Sequence, residues 1–236
     1  MILIVEQVRN AAEFDAIWPM HFQAFQNPYN SFSKFFNPVH TTIDTAIEIS
    51  KARHVAMWEG NAASHWIKVM DKETQHVIGA ALWELNQSGY TVGDGERFKT
   101  SFKATQHVEG SEERLFAEKL IGGLRSAVME TIKGPHMELK QMVVHPAHRG
   151  LGVARLLTDW GVELADKSGL DAIVVSVPYA RPVYEKLGFV CVKDIEIDFS
   201  TPETSEKWKE WQAEDMRAFL MVRPRKQMPN SSESAA

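Results

Sequence analysis

The sequence predicts an α/β (α+β) sandwich, a single domain on a mixed, mostly antiparallel sheet flanked by helices. Three observations predict it. Trp66 to Met70 and Val77 to Leu85 flank the turn "DKET", a hairpin that supplies antiparallel neighbours. The continuous apolar run "DAIVVSV", from Asp171, reads as a strand deep in a sheet. Between the strand Met137 to Val144 and that run lies one amphipathic helix, so the two strands join by a crossover and run parallel.

The remaining elements follow in chain order. Ile2 to Val8 alternates loosely, as a first strand does. Phe14, Ile17, Trp18, Phe22 and Phe25 recur at helical spacing and place a helix over Ala11 to Phe25. "NPYNSFSKFFNP" is punctuated by Pro28 and Pro38 and reads as a loop with a short helical turn. A second helix runs from Thr41 to Glu59, with Ile43, Ile47, Val55 and Trp58 on related faces. After the hairpin, "NQSGYTVGDGERFKT" reads as loop. Glu112 to Lys133 is helical, with Leu115, Leu120, Leu124 and Val128 spaced for burial and Gly134-Pro135 as the stop. Val153, Leu156, Leu157, Trp160 and Leu164 form the stripe of a helix over Leu151 to Lys167, and Gly169 suits its C′ position. "RPVYEKLGF" is a short helix from Pro182 to Gly188, and "FVCVKDIEIDF" is a strand. "SEKWKEWQAEDMRAFLMVRP" mixes helix and strand character. The domain is expected to span 1–222, with 223–236 as a disordered tail, because "MPNSSESAA" is low in apolar residues.

Composition narrows the function classes. The net charge is −5, and no basic groove is interleaved with aromatics, so neither nucleic acid nor an anionic membrane is an expected partner. No stretch approaches the roughly 18 apolar residues that span a bilayer. The N-terminal "MILIVEQVRN" lacks the basic start and cleavage site of a signal peptide. Cys191 is the one cysteine, which excludes an internal disulfide and fits a reducing, cytoplasmic setting. Cys191 is expected to be buried and inert. No metal is expected.

One stretch resists a purely structural reading. "VVHPAHRGLGVARLLTDWG" puts Gly150 and Gly152 between an apolar strand and a clean helix. Glycine there permits positive φ and close approach of a ligand to the main chain. The first amides of the helix lack intrahelical partners and sit at its positive end, so a phosphate or pyrophosphate fits. Arg149 would add a charge-assisted contact. The P-loop pattern fails for want of its lysine. The dinucleotide fingerprint fails because "GLGVAR" lacks the third glycine and lies late in the chain.

A third pattern matches. Arg149-x-x-Gly152-x-Ala154 resembles the R/Q-x-x-G-x-G/A signature of the GNAT acyltransferase superfamily. Around it, "LKQMVVHPAHRGLGVARLL" is similar to that family's strand, turn and helix, with Val144-x-Pro146 ahead of Arg149-Gly150. Downstream, "PVYEKLGF" resembles the family's Tyr-x-x-x-Gly-Phe segment. The close likeness runs from Leu139 to Val192. The style of "LTDWGVELADKSGLDAIVVSV" looks most like the fungal branch.

The resemblance implies a splayed parallel strand pair with acyl-CoA in the gap. Met142, Val143 and Val144 would serve the pantetheine arm through their main chain. Arg149, Gly150, Leu151, Gly152, Val153 and Ala154 would cradle the pyrophosphate. Tyr184 would be the general acid at the leaving thiolate. Glu84 and Glu138, on the strands bordering the acyl site, are the candidate bases. His145 reads as a turn residue satisfied by backbone, and His21 as a helix residue with a possible face to the acceptor. Where many family members carry an Asn before the tyrosine, this chain has Val177; Tyr179 and Arg181 are the expected substitutes at CoA. Acceptor specificity would lie in Trp18 to Phe36 and Asn86 to Thr105. The Phe-rich first segment favours an apolar or aromatic amine.

The implied activity is acetyl transfer from acetyl-CoA to a primary amine of a small molecule by direct attack in a ternary complex. The alternatives are a non-catalytic acyl-CoA-binding module and an acetyltransferase for protein or peptide amines. Either a monomer or a homodimer is compatible with the sequence.

Overall fold

The computed structural model describes residues 1–226; the final ten, most of the expected tail, lie outside the described residues. Seven strands form one sheet: β1 (Leu3–Gln7), β2 (Ser64–Asp71), β3 (Val77–Asn86), β4 (His136–Val144), β5 (Asp171–Ser176), β6 (Val190–Ile195) and β7 (Ala218–Arg223). The spatial order is β1-β2-β3-β4-β5-β7-β6. β4 and β5 are its one parallel pair. The mixed helix-and-strand segment resolves into α8 (Glu206–Ala213) and β7, which slots between β5 and β6. β7 runs one residue past the expected boundary at 222, and Arg223 pairs with Asp166 at 2.9 Å.

The decisive local feature is where the parallel pair stops. β4 and β5 pair only from His136–Asp171 to Leu139–Val174. On the other edge of β4, Leu139 lies opposite Trp83 and Gln141 opposite Leu82, so Lys140 is an extra residue in the ladder. A bulge of this kind bends its strand and raises local twist. Beyond Lys140, β4 continues along β3 to Val144 while β5 continues along β7. The gap expected between the parallel strands therefore opens at a bulge.

Helices cover both faces of the sheet. α6 (Val153–Lys167) packs on one face over Val69, Trp83 and Val174. α1 (Phe14–Gln26) and α3 (Ile43–Glu59) pack on the other around Trp18 and Trp66. α5 (Glu112–Thr131) and α8 share a core of Phe116, Leu120, Trp208 and Trp211. α3 is less amphipathic than its sequence suggests: it buries Ala46 and Ser50, while Ile43 is half exposed. No described helix is long and apolar enough to cross a membrane.

Asn86 to Thr105 is not all loop. Asp94–Ser101 forms a helix, α4, entered through Gly93 at φ +86°. α4 carries no apolar stripe to announce it. It is held by close backbone approach: a Cβ on Gly95 would lie 2.9 Å from the Ser126 carbonyl oxygen in α5.

α6 is fixed against the sheet by small residues. A Cβ on Gly161 would lie 2.1 Å from the Trp83 indole, and one on Gly79 would lie 2.5 Å from Val153. The Trp83 indole N–H donates to the Leu157 carbonyl at 3.1 Å. Overpacking such a contact costs about 1–3 kcal/mol. Gly161→Ala is accordingly expected to destabilise the fold by that amount in urea unfolding, although alanine has the better helix propensity. Unchanged or raised stability would contradict this packing.

Candidate active site

The glycine turn joins β4 to α6 through a short 3-10 turn at Pro146–His148. Gly150 has φ +79° and Gly152 φ +83°, a region costly for residues with a Cβ. Gly152 is the N-cap of α6, and no side chain caps the helix. A Cβ at either glycine would meet no protein atom within 4 Å. Packing therefore does not require these glycines; the backbone conformation and the bare amides do. Both glycines line a cavity of about 540 Å³ that also takes in Met142, Val143 and Val144. A phosphate-bearing ligand fits such a cradle of amides at a helix start.

The turn's expected residues divide. Gly150, Gly152, Val153, Ala154 and Tyr179 line this cavity. Leu151 does not, and is 48% exposed. Arg181 does not either: it pairs with Glu185 at 2.8 Å and lies 4.6 Å over the Phe219 ring. Arg149 reaches the cavity wall, but its guanidinium donates to the carbonyls of Ala24, at 2.9 Å, and of Asn27. These are end carbonyls of α1, which need donors and favour a cation. The charge expected for the pyrophosphate instead fastens α1 over the cleft. His145 behaves as expected, its Nδ1 accepting the Ala147 amide at 3.2 Å.

Tyr184 lies in α7 (Arg181–Lys186) and is 6% exposed. Burial, with Tyr179 nearby, raises its phenol above the ordinary value, so the proton stays on oxygen at neutral pH. Tyr184 lines the first cavity and also a second, of about 250 Å³. The two cavities share Phe25, Met142, Tyr179, Ala180 and Tyr184, and so meet at the open end of the β4–β5 gap.

The second cavity is walled by rings and charged at its base. Phe25, Phe32 and Phe36 contribute from α1 and the proline-bounded segment, where α2 (Ser33–Phe36) is the expected short turn. Phe35 is core instead, stacked on Phe116 at 4.6 Å. Asn86 to Thr105 supplies no wall residue. Its Tyr90 stands behind the wall, accepting from Arg125 at 2.9 Å. Arg125, Glu138 and Lys140 form the charged base.

Glu138 is ion-paired with Arg125, and Lys140 lies 3.4 Å away. Burial alone would raise its carboxyl, but Lys140 and Arg125 outweigh burial and hold it at about 2. Burial, with the Arg125 charge, pushes the Lys140 amine below its ordinary value. Glu84 stands opposite Glu138 in register, bonded by the Ser64 hydroxyl at 3.0 Å and 3.7 Å from Lys140. Of the two candidate carboxylates, Glu138 lines the cavity and Glu84 does not. His21 also lines it, with burial and the charges of His54 and Arg53 lowering its imidazole to about 3.

Sequence reasoning passed over Arg125, Lys140 and His54. Lys140 carried a signal, a lysine within an otherwise buried strand beside a glutamate. Arg125 and His54 sit in helices where a charged or polar residue is ordinary. Cys191 is half-buried, and burial together with the Asp194 contact raises its thiol, so it is a weak nucleophile. Among the described residues no group of three or more His, Cys, Asp or Glu is placed to hold a metal ion.

Comparison with known proteins bears on the fold and the family. The model of the Acetyltransferase (GNAT) family matches residues 29–189. Three solved structures share the fold over nearly the whole of both chains. A histone acetyltransferase and related acetyltransferase from Corynebacterium glutamicum is 18% identical, TM-score 0.58, over 97% of this chain and 99% of that one. Arylalkylamine N-acetyltransferase 2 from Aedes aegypti is 14% identical, TM-score 0.58, over 96% and 100%. A polyamine N-acetyltransferase from Drosophila melanogaster is 11% identical, TM-score 0.56, over 94% and 98%.

Two outcomes test the site's physics. Gly152→Glu places a carboxylate where the cradle takes an anion, and is expected to weaken CoA binding at least tenfold in calorimetry while the protein stays folded. Normal affinity would remove the cradle. Glu138 has a depressed folded pKa, so its stabilisation is present above about 4.5 and is lost as pH falls towards about 2. Glu138→Gln leaves two cations without their carboxylate and should cost about 3–5 kcal/mol at pH 7. In urea unfolding its deficit against the parent should shrink steadily below pH 4.5. A pH-independent deficit would contradict the pairing.

Proposed function

The chain belongs to the GNAT acetyltransferase family, and from that premise we propose that it moves the acetyl group of acetyl-CoA to the primary amine of a small, apolar or aromatic acceptor. The observation that carries the reading is the meeting of two cavities at Met142 and Tyr184, one taking in the glycine turn and the start of α6, the other taking in Phe32, Phe36, Arg125, Glu138 and Lys140. Acetyl-CoA supplies the activated acetyl thioester. The Gly150–Ala154 amides hold its pyrophosphate, and Met142 to Val144, unpaired with β5, offer main-chain groups to the pantetheine arm. Direct attack in a ternary complex needs both cavities filled together, and their shared wall allows it. Positioning and carbonyl polarisation by main-chain amides are the principal rate terms.

Tyr184 is the acid. Its hydroxyl makes no hydrogen bond to another described residue, and burial keeps it protonated. It gives its proton to the leaving thiolate. The amine must shed a proton before attack. Glu138 attracts the ammonium form, but a carboxyl held at about 2 retains no proton. Glu138 therefore guides the amine, which gives up its proton to solvent water before attack, while Glu84, outside the cavity, steadies Lys140 at 3.7 Å. The arylalkylamine and polyamine acetyltransferases among the structural neighbours support an amine acceptor, and the phenylalanine wall favours the aromatic kind. The lone cysteine supports a cytoplasmic setting, and the fungal affinity rests on the α6–β5 sequence alone.

Incubation with acetyl-CoA and a panel of amines, read as free thiol, tests the reading. Thiol release with arylalkylamines is the expected result. CoA binding with no release for any amine would favour a binding module instead. Removing the acid in Tyr184→Phe should lower kcat by about 10²–10⁴-fold with CoA affinity retained. Unchanged turnover would sink the acid role.

A further inference from the structure

The end of the acceptor cavity formed by α1 and α3 contains chemistry that the transfer itself does not use. His21 and His54 both line it, with ring centroids 5.1 and 4.5 Å from the Trp18 indole. Nδ1 of His54 lies 2.9 Å from the Ser50 carbonyl oxygen. A carbonyl only accepts, so Nδ1 carries the proton and Nε2 is left with its lone pair. Nε2 bonds to no described residue, yet it is not among the sealed ring nitrogens, as both nitrogens of His21 are.

The surroundings hold this imidazole in place and leave Nε2 free. The Trp18 indole donates to Ser50 Oγ at 2.9 Å, Ser50 Oγ donates to Asn37 at 2.6 Å, and Arg53 donates to the same Asn37 oxygen at 2.6 Å and to the Phe36 carbonyl at 2.7 Å. Burial and the Arg53 charge keep the ring neutral, at about 4. α3 packs chiefly on α1 and β2, whereas α1 packs on β4. His54 therefore lines the cavity from a helix that does not pack on the bulged strand. A neutral acceptor atom in a ring-lined space selects a hydrogen-bond donor. The nearby Arg53 charge disfavours a second ammonium there, which leaves a hydroxyl or a ring N–H.

We propose that His54 Nε2 receives a hydrogen bond from a neutral donor on the ring of the acceptor, so that the enzyme prefers aromatic amines bearing a phenolic hydroxyl or indole-type N–H over those with a bare ring. His54 is thus a specificity-determining residue for the acceptor. The proposal rests on the acetyl-transfer reading above.

The test compares tyramine with phenethylamine, which differ by one hydroxyl, in kcat/KM for the parent protein, His54→Leu and His54→Gln. The parent should favour tyramine by roughly five- to tenfold, the worth of one hydrogen bond. The leucine variant should bring the ratio to about one, and the glutamine variant, which keeps an acceptor oxygen, should restore part of it. No preference in the parent, a preference that survives in His54→Leu, or an equal loss for both amines would each overturn the proposal while leaving acetyl transfer intact. CoA binding with neither amine turned over would overturn the substrate reading, and this proposal with it.

Discussion

Everything at this site depends on the parallel pairing of β4 and β5 ending after Leu139 and Val174. A continuous parallel ladder would consume the main-chain groups of Met142, Val143 and Val144. That ladder stops beside the extra residue at Lys140, where a bulge bends β4 and raises its twist. Lys140 and Glu138 both line the second cavity beside that bulge. One departure from regular pairing thus stands where the cleft opens and its charges lie. Buried main chain is tolerated there because a ligand can satisfy it.

The walls of the cleft are held by different forces. α6 lies close to the sheet because Gly79 and Gly161 admit Val153 and Trp83, which fixes its bare N-terminus against the gap. α1 is tied down at its C-terminal end by Arg149, from the glycine turn itself. Behind the acceptor cavity, Arg125, Glu138 and Lys140 offset one another's burial. Each would be costly alone; together they leave a polar base in an otherwise ring-lined space.

Much of this was legible in the sequence. The hairpin, the crossover and the glycine turn were visible because period, apolar runs and glycine placement are local signals. The positions of Gly150, Gly152 and Tyr184 beside one cavity followed from motifs with fixed spacing. α4 was not legible, since it is held by glycine contacts with α5 rather than an apolar stripe. The β7 position between β5 and β6 is a long-range pairing that no local pattern encodes. Arg149 and Arg181 were expected at CoA from their positions in the motifs, and in the folded chain each side chain has a protein partner. Arg149 finds helix-end carbonyls, and Arg181 finds Glu185 and the Phe219 ring. His54 was illegible because its tautomer is set by Ser50 and its surroundings by Trp18 and Asn37, contacts that exist only in the folded chain.

The central claim is that the opened β4 edge and the glycine turn together hold CoA. Amide hydrogen exchange with and without saturating CoA measures this residue by residue. The account predicts slowed exchange at Met142 to Val144 and at Gly150 to Ala154, on both sides of the bend between β4 and α6. Protection confined to other segments, with these amides exchanging as in the free protein, would contradict it.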